Sequence, residues 1–210
     1  QGDWSSYVCS SDLLTTFKNK GVFPKVITFE TVVALQDYIK QGGAYAVLGK
    51  GSNTLINPKA QVPCIIKVSP QITPIIVDEE TFTVNAGISV NRLMTLAVNE
   101  SIAGYEFMAG VPATIGGMVF MNFGCWGRTI SDTLQRVRVV TESGEDLWIK
   151  KRDLTFGYRT STFQSKKWVI IEAEFTFERG IASEIKETIA ANVKKRLDSQ
   201  PLKDKTFGSI

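Results

Sequence analysis

The sequence predicts an α+β protein of two lobes. Three observations predict it. Strands and helices alternate from Thr16 onward, an acidic turn joins two apolar runs as a hairpin, and a long amphipathic helix closes the readable part of the chain. The lobe boundary is placed near Pro70, which gives a first lobe at 14–70 and a second at 71–198. Residues 1–13 are left unplaced.

The elements follow in order. Lys25–Phe29 is a short apolar strand. Thr31 is suited to cap the helix after it, whose face carries Val32, Leu35, Tyr38 and Ile39. Tyr45–Leu48 and Cys64–Val68 are two further strands. Ile75–Val77 and Phe82–Val84 flank Asp78-Glu79-Glu80 as a hairpin. A helix runs from about Ser89 to Asn99 with Val90, Leu93, Ala97 and Val98 turned inward. Strands are expected at Val137–Thr141, Asp146–Ile149 and Trp168–Phe177, the first two joined by Ser143-Gly144. From Ile181 to Asp198, Ile181, Ile185, Ile189, Val193 and Leu197 recur at every fourth residue, and this stripe is expected to pack on the core.

Composition narrows the function. Apolar residues make up 43% of the chain and charged residues 21%, as in a soluble globular protein with a core. The net charge of +3 comes from 24 basic and 21 acidic residues, too small and too dispersed an excess to argue for nucleic acid. No apolar run reaches the roughly 18 residues of a membrane span. Residues 1–17 contain neither Lys nor Arg and no long apolar run, so a secretory leader is not expected. Cys9, Cys64 and Cys125 form no CxxC pair, and a cytoplasmic location is the expectation. The chain contains no histidine. That removes Ser-His-Asp and Cys-His catalysis, HExxH zinc sites and flavin attachment through histidine, and no metal site is expected.

Glycine marks the candidate site. Gly49-Lys50-Gly51-Ser52-Asn53 directly follows a predicted strand. Its two glycines permit positive φ, so successive N–H groups can line one concavity that holds an anion such as a pyrophosphate. It is neither a Walker A loop nor GxGxxG, since Thr54 stands at the third glycine position. Read alone, it is also compatible with a tight loop between strands. A second segment runs through Gly110, Val111, Pro112, Thr114, Gly116 and Gly117. Pro112 suits the first turn of a helix. Each of Gly116 and Gly117 costs about 1 kcal/mol relative to alanine inside a helix, a cost usually offset by a ligand or backbone pressed close. Asn122 follows in Met121-Asn122-Phe123-Gly124-Cys125-Trp126-Gly127. A tightly packed helix pair is the alternative reading there.

Four motifs in this order resemble the UDP-N-acetylenolpyruvoylglucosamine reductase (MurB) family over nearly the whole chain. LGKGSN at 48–53 is similar to that family's LGxGSN pyrophosphate loop. AGVPATIGGMVFMNFGCWG at 109–127 is similar to its AGIPGTVGGAxxMNAGAYG signature along the flavin. GYRTSTF at 157–163 is similar to its YRxSxF motif, and QPLKDKTFGSI at 200–210 to its QP…GSxFKNP segment. Lys50 replaces a usually small residue and adds a cation near the expected pyrophosphate. Ala113 stands where glycine is common, and Phe123, Cys125 and Trp126 replace Ala, Ala and Tyr.

The resemblance implies a two-lobed FAD-binding domain of the vanillyl-alcohol-oxidase (PCMH) type with noncovalent FAD. It implies a cytoplasmic enzyme of peptidoglycan precursor synthesis. NADPH would be the hydride donor, and UDP-N-acetylglucosamine-enolpyruvate would be reduced to UDP-N-acetylmuramate. Gly49, Lys50, Gly51, Ser52, Asn53, Gly110, Val111, Pro112, Thr114, Gly116, Gly117 and Asn122 would bind the cofactor. Arg159 would stabilise negative charge on the substrate, Tyr158 would contact it, and Ser209 would deliver a proton. Residues 199–210 would begin a substrate-binding domain that bears a catalytic glutamate. The 210 residues alone are therefore expected to hold FAD without turning over substrate. Another FAD-linked oxidoreductase of the same fold, acting on a small alcohol or sugar, and a noncatalytic flavin-binding module are the alternatives.

Overall fold

The computed structural model describes residues 4–10, 14–18, 22–57, 59 and 62–200. The first lobe is built on β1 (Trp4–Ser10), β2 (Val22–Phe29), α1 (Val32–Lys40), β3 (Ala46–Val47) and β4 (Ile65–Val68). β2, β4 and β3 run parallel in the order β2-β4-β3, and β1 pairs antiparallel with the outer edge of β2. The unplaced N-terminal segment thus contains a strand. Its irregular pattern hides it, because the paired edge of β2 rather than any alternation in the segment specifies it.

α1 starts where Thr31 accepts a hydrogen bond from the Ala34 N–H. It lays Leu35 and Ile39 on Ile27, Phe29 and Ile66. Val140, Val169 and Ile171 of the second lobe belong to the same apolar cluster, so the two lobes share buried surface. Tyr38 packs against Phe29, and burial, with the Cys64 thiol beside it, pushes its phenol up to about 12.

The second lobe adds β5 (Ile76–Val77), β6 (Thr81–Asn85), α2 (Val90–Asn99), β7 (Ile102–Ala103), α3 (Ile115–Phe120), β8 (Gly124–Cys125), β9 (Arg128–Thr129), β10 (Leu134–Val140), β11 (Asp146–Lys150), β12 (Phe156–Gly157), β13 (Thr160–Ser161), β14 (Val169–Thr176), β15 (Glu178–Arg179) and α4 (Ala182–Ser199). Its antiparallel sheet has the order β11-β10-β14-β6-β5. Period-2 alternation divides the faces of β10. Val137 and Val139 enter the core, while Arg138 forms a two-point pair with Asp146 and a third bond to the buried Glu172. Phe82, Tyr105, Phe175 and Phe177 make an aromatic cluster. The Tyr105 hydroxyl donates to the Thr176 carbonyl within it, and burial raises its pKa.

Two expectations for the helices need correction. The apolar stripe of α4 does not lie on one buried face. Ile185 is buried and Ile189 and Val193 are half-buried, but Ile181 and Leu197 are exposed. A 3.6-residue helix advances about 100° per residue, so each fourth-residue step overshoots a full turn by about 40° and the stripe winds round the helix. Arg196 is buried in its place. Pro112 is not in the first turn of a helix either. α3 begins at Ile115, where the Thr114 hydroxyl accepts from the Gly117 N–H, so the cap rather than the proline sets the start. Among the described residues, no helix is long and apolar enough to cross a membrane.

Candidate cofactor and active site

The two glycine segments meet in space. A β-carbon added at Gly49 would fall 2.5 Å from the Thr114 Oγ1, so the loop after β3 lies directly on the cap of α3. Among the described residues, no main-chain N–H from Gly49 through Asn53 donates to a protein acceptor. Gly51 has φ +64°, and its own missing side chain faces Leu14 and Thr15, while its carbonyl accepts from the Thr16 N–H. Its glycine requirement therefore comes from protein packing as well as from loop curvature.

In α3 the adjacent glycines serve different ends. A β-carbon at Gly116 would lie 2.7 Å from that of Ala86, and the Gly116 N–H donates to the Ala86 carbonyl, so backbone is pressed close there. At Gly117 a β-carbon would meet, among the described residues, only the capping Thr114 Oγ1 at 3.4 Å, and that face stays open. Gly110, at φ +81°, faces the stem of Arg196. Val111 packs on the core, and Pro112 is exposed.

Two residues past the end of α3 stands Asn122, which is buried with φ +42°. Its Nδ2 donates to the Gly157 carbonyl at 2.8 Å, and its Oδ1 has no partner among the described residues. This bond anchors the β12–β13 hairpin, whose turn holds Tyr158 and Arg159. Ser161 and Gln164 fix the same hairpin by donating to the Phe120 carbonyl. Arg159 sits at φ +54°, a left-handed conformation that costs a non-glycine residue about 1–2 kcal/mol. Its Nη1 donates to the Gly124 carbonyl, and its guanidinium lies over the rings of Phe123 and Tyr158. Among the described residues it has no carboxylate partner. Tyr158 is 88% exposed beside it. Ser209 lies outside the described residues.

The neighbouring β8–β9 hairpin is held by Thr129 and Asp132. Burial works against the Asp132 carboxylate, but hydrogen bonds from the Thr129 hydroxyl and N–H, with Lys151 and Arg128 nearby, keep its pKa below the usual range. Sequence reasoning missed Ser161 and Gln164 as anchors and Arg196 as a buried cation. The first two stand in or beside the YRxSxF match. Arg196 carries no local signal, because it lies off the apolar stripe of α4.

This surface suits a flavin dinucleotide. A run of N–H groups without partners among the described residues can take a pyrophosphate, Gly117 leaves an open approach, and the Asn122 Oδ1, likewise unpartnered among those residues, can accept from a donor such as a ring N–H.

Comparison with known proteins agrees. Residues 26–150 match the FAD binding domain family. The chain is 34% identical over 200 residues to the UDP-N-acetylenolpyruvoylglucosamine reductase of Halalkalibacterium halodurans, covering 93% of this chain and 66% of that protein. It is 32% identical to the protein of the same name from Bacillus pumilus, covering 90% and 62%. The crystal structure of UDP-N-acetylenolpyruvylglucosamine reductase (MurB) from Thermus caldophilus superposes with a TM-score of 0.85 at 25% identity, covering 98% of this chain and 73% of that one. The chain spans a little under two thirds of the length of these two curated relatives.

Proposed function

The chain belongs to the FAD binding domain family, and from that premise we propose that it is the flavin-holding part of an NADPH-dependent reductase of UDP-N-acetylglucosamine-enolpyruvate. The product would be UDP-N-acetylmuramate, a peptidoglycan precursor made in the cytoplasm. NADPH is the reductant in this reading, and a bound flavin supplies the hydride to the enolpyruvyl double bond.

The observation that carries the reading is Arg159. It is a cation without a carboxylate partner among the described residues, held in a strained turn and tied to the end of α3. Reduction of the enolpyruvyl group drives negative charge toward its carboxylate, and a fixed guanidinium stabilises that charge as it develops. Tyr158 offers an exposed ring next to the same substrate. Gly49 through Asn53 hold the cofactor pyrophosphate by main-chain N–H groups, with Lys50 adding charge. Ser209 is the proposed proton donor.

The test uses the purified longer protein of which this chain would be the flavin-holding part. It should release FAD on acid denaturation, and it should oxidise NADPH only when UDP-N-acetylglucosamine-enolpyruvate is present. Oxygen-dependent oxidation of alcohols or sugars without enolpyruvyl reduction would replace this reading with an oxidase. Bound FAD with neither activity would make the protein a flavin-binding module.

A further inference from the structure

We propose that Arg196, in the last helix, is a positioning residue that sets the shape of the flavin-facing segment 107–127. The proposal rests on the reading of that segment as the cofactor site. Arg196 is 6% exposed, and no carboxylate pairs with it among the described residues. A buried charge of this kind is costly unless its donors are satisfied. Main-chain atoms of the site do most of that work. Nε donates to the Ala109 carbonyl and Nη2 to the Phe107 carbonyl, each at 2.8 Å, and Nη2 also reaches the Cys125 Sγ at 3.1 Å. The Cys125 thiol donates to the same Phe107 carbonyl. One guanidinium therefore joins the turn before Gly110 to the β8–β9 hairpin.

Three further contacts make the arrangement specific. Asn192, one turn earlier on the same face of α4, donates to the Glu106 carbonyl, so the helix grips residues 106, 107 and 109. The missing side chain of Gly110 would lie 3.2 Å from the Arg196 Cδ, so the glycine lets the stem pass. Trp126, held at φ +52°, covers the guanidinium with its ring at 4.5 Å. α4 thus docks through polar bonds to backbone as well as through Ile185, Ile189 and Val193, which pack on the core. Lysine at 196 is a point charge without the fork, and it cannot hold both carbonyls in the observed geometry.

The test titrates FAD into the apo form of the chain for wild type, Arg196→Lys and Ile185→Val. It also records the visible circular dichroism of bound flavin at saturation and the melting temperature of each apo form. Ile185→Val loosens α4 without touching the clamp. The expected result is an FAD dissociation constant raised about tenfold or more in Arg196→Lys. Its dichroism should be altered even at saturation, while Ile185→Val stays within about twofold of wild type with an unchanged spectrum. If Arg196→Lys keeps wild-type affinity and dichroism, or changes only as Ile185→Val does, the positioning role is wrong and the site reading stands. If wild type takes up no FAD, the site reading falls and this proposal falls with it.

Discussion

The Asn122 side chain donates to the Gly157 carbonyl at 2.8 Å, and this bond joins the end of α3 to the hairpin that presents Arg159. Asn122→Ala leaves that carbonyl without its partner and puts alanine at φ +42°. The unfolding free energy should fall by about 1–3 kcal/mol, measured by urea denaturation. Tryptic cleavage after Arg159 should quicken as the hairpin loosens. Unchanged stability and cleavage would show that Ser161 and Gln164 hold the hairpin without it.

Gly49→Ala places a methyl group against the Thr114 Oγ1. That hydroxyl caps α3, so it cannot move aside without losing a bond worth about 1 kcal/mol. FAD affinity should drop about tenfold. In a Thr114→Ala background the same substitution should cost much less, and a double-mutant cycle measures the difference. Additive effects would mean that the two segments do not touch in the way described.

In the longer protein of which this chain would be the flavin-holding part, Arg159→Ala should lower turnover of the enolpyruvyl substrate by about 10²–10³ while leaving FAD content unchanged. Arg159→Lys should recover little, because lysine lacks the planar two-point fork. Stopped-flow reoxidation of reduced protein by substrate reports this directly. Near-normal rates in the alanine variant would remove Arg159 from the chemistry.

Lys50 is exposed in the middle of the loop whose N–H groups have no partners among the described residues. Lys50→Ala should weaken FAD binding a few-fold at low ionic strength and flatten its salt dependence, since an exposed charge is screened within about 10 Å at 0.1 M salt. Isothermal titration at two salt concentrations distinguishes this from a purely steric role, which would leave the salt slope intact.

Alkaline pH should unfold the protein through its tyrosines. Burial and Cys64 raise Tyr38 to about 12, and burial also raises Tyr45 and Tyr105. A raised folded-state pKa gives stability that is full below the ordinary phenol value of 10.0 and is lost as pH rises through the folded value. The denaturation midpoint should therefore fall between pH 10 and about 12. Tyr38→Phe should reduce that slope. A slope indifferent to Tyr38→Phe would mean that Tyr38 ionises as freely in the folded chain as in the unfolded one.

What the sequence determined by itself is local. Thr31 caps α1, α2 starts at the expected place by Ser89, Asp78-Glu79-Glu80 turns the β5–β6 hairpin, and the glycine loop follows its strand, because caps, turns and periodicity depend on residues a few positions apart. The YRxSxF match likewise brought Arg159 forward. Three things lay beyond that reach. The pairing of β1 depends on the edge of β2 and not on its own pattern. The different duties of Gly116 and Gly117 depend on Ala86, thirty residues away along the chain. The buried face of α4 depends on which side of a winding apolar stripe meets the carbonyls of Phe107 and Ala109. Each is a contact between distant segments, where close packing and hydrogen-bond satisfaction choose among options that local sequence leaves equal in energy.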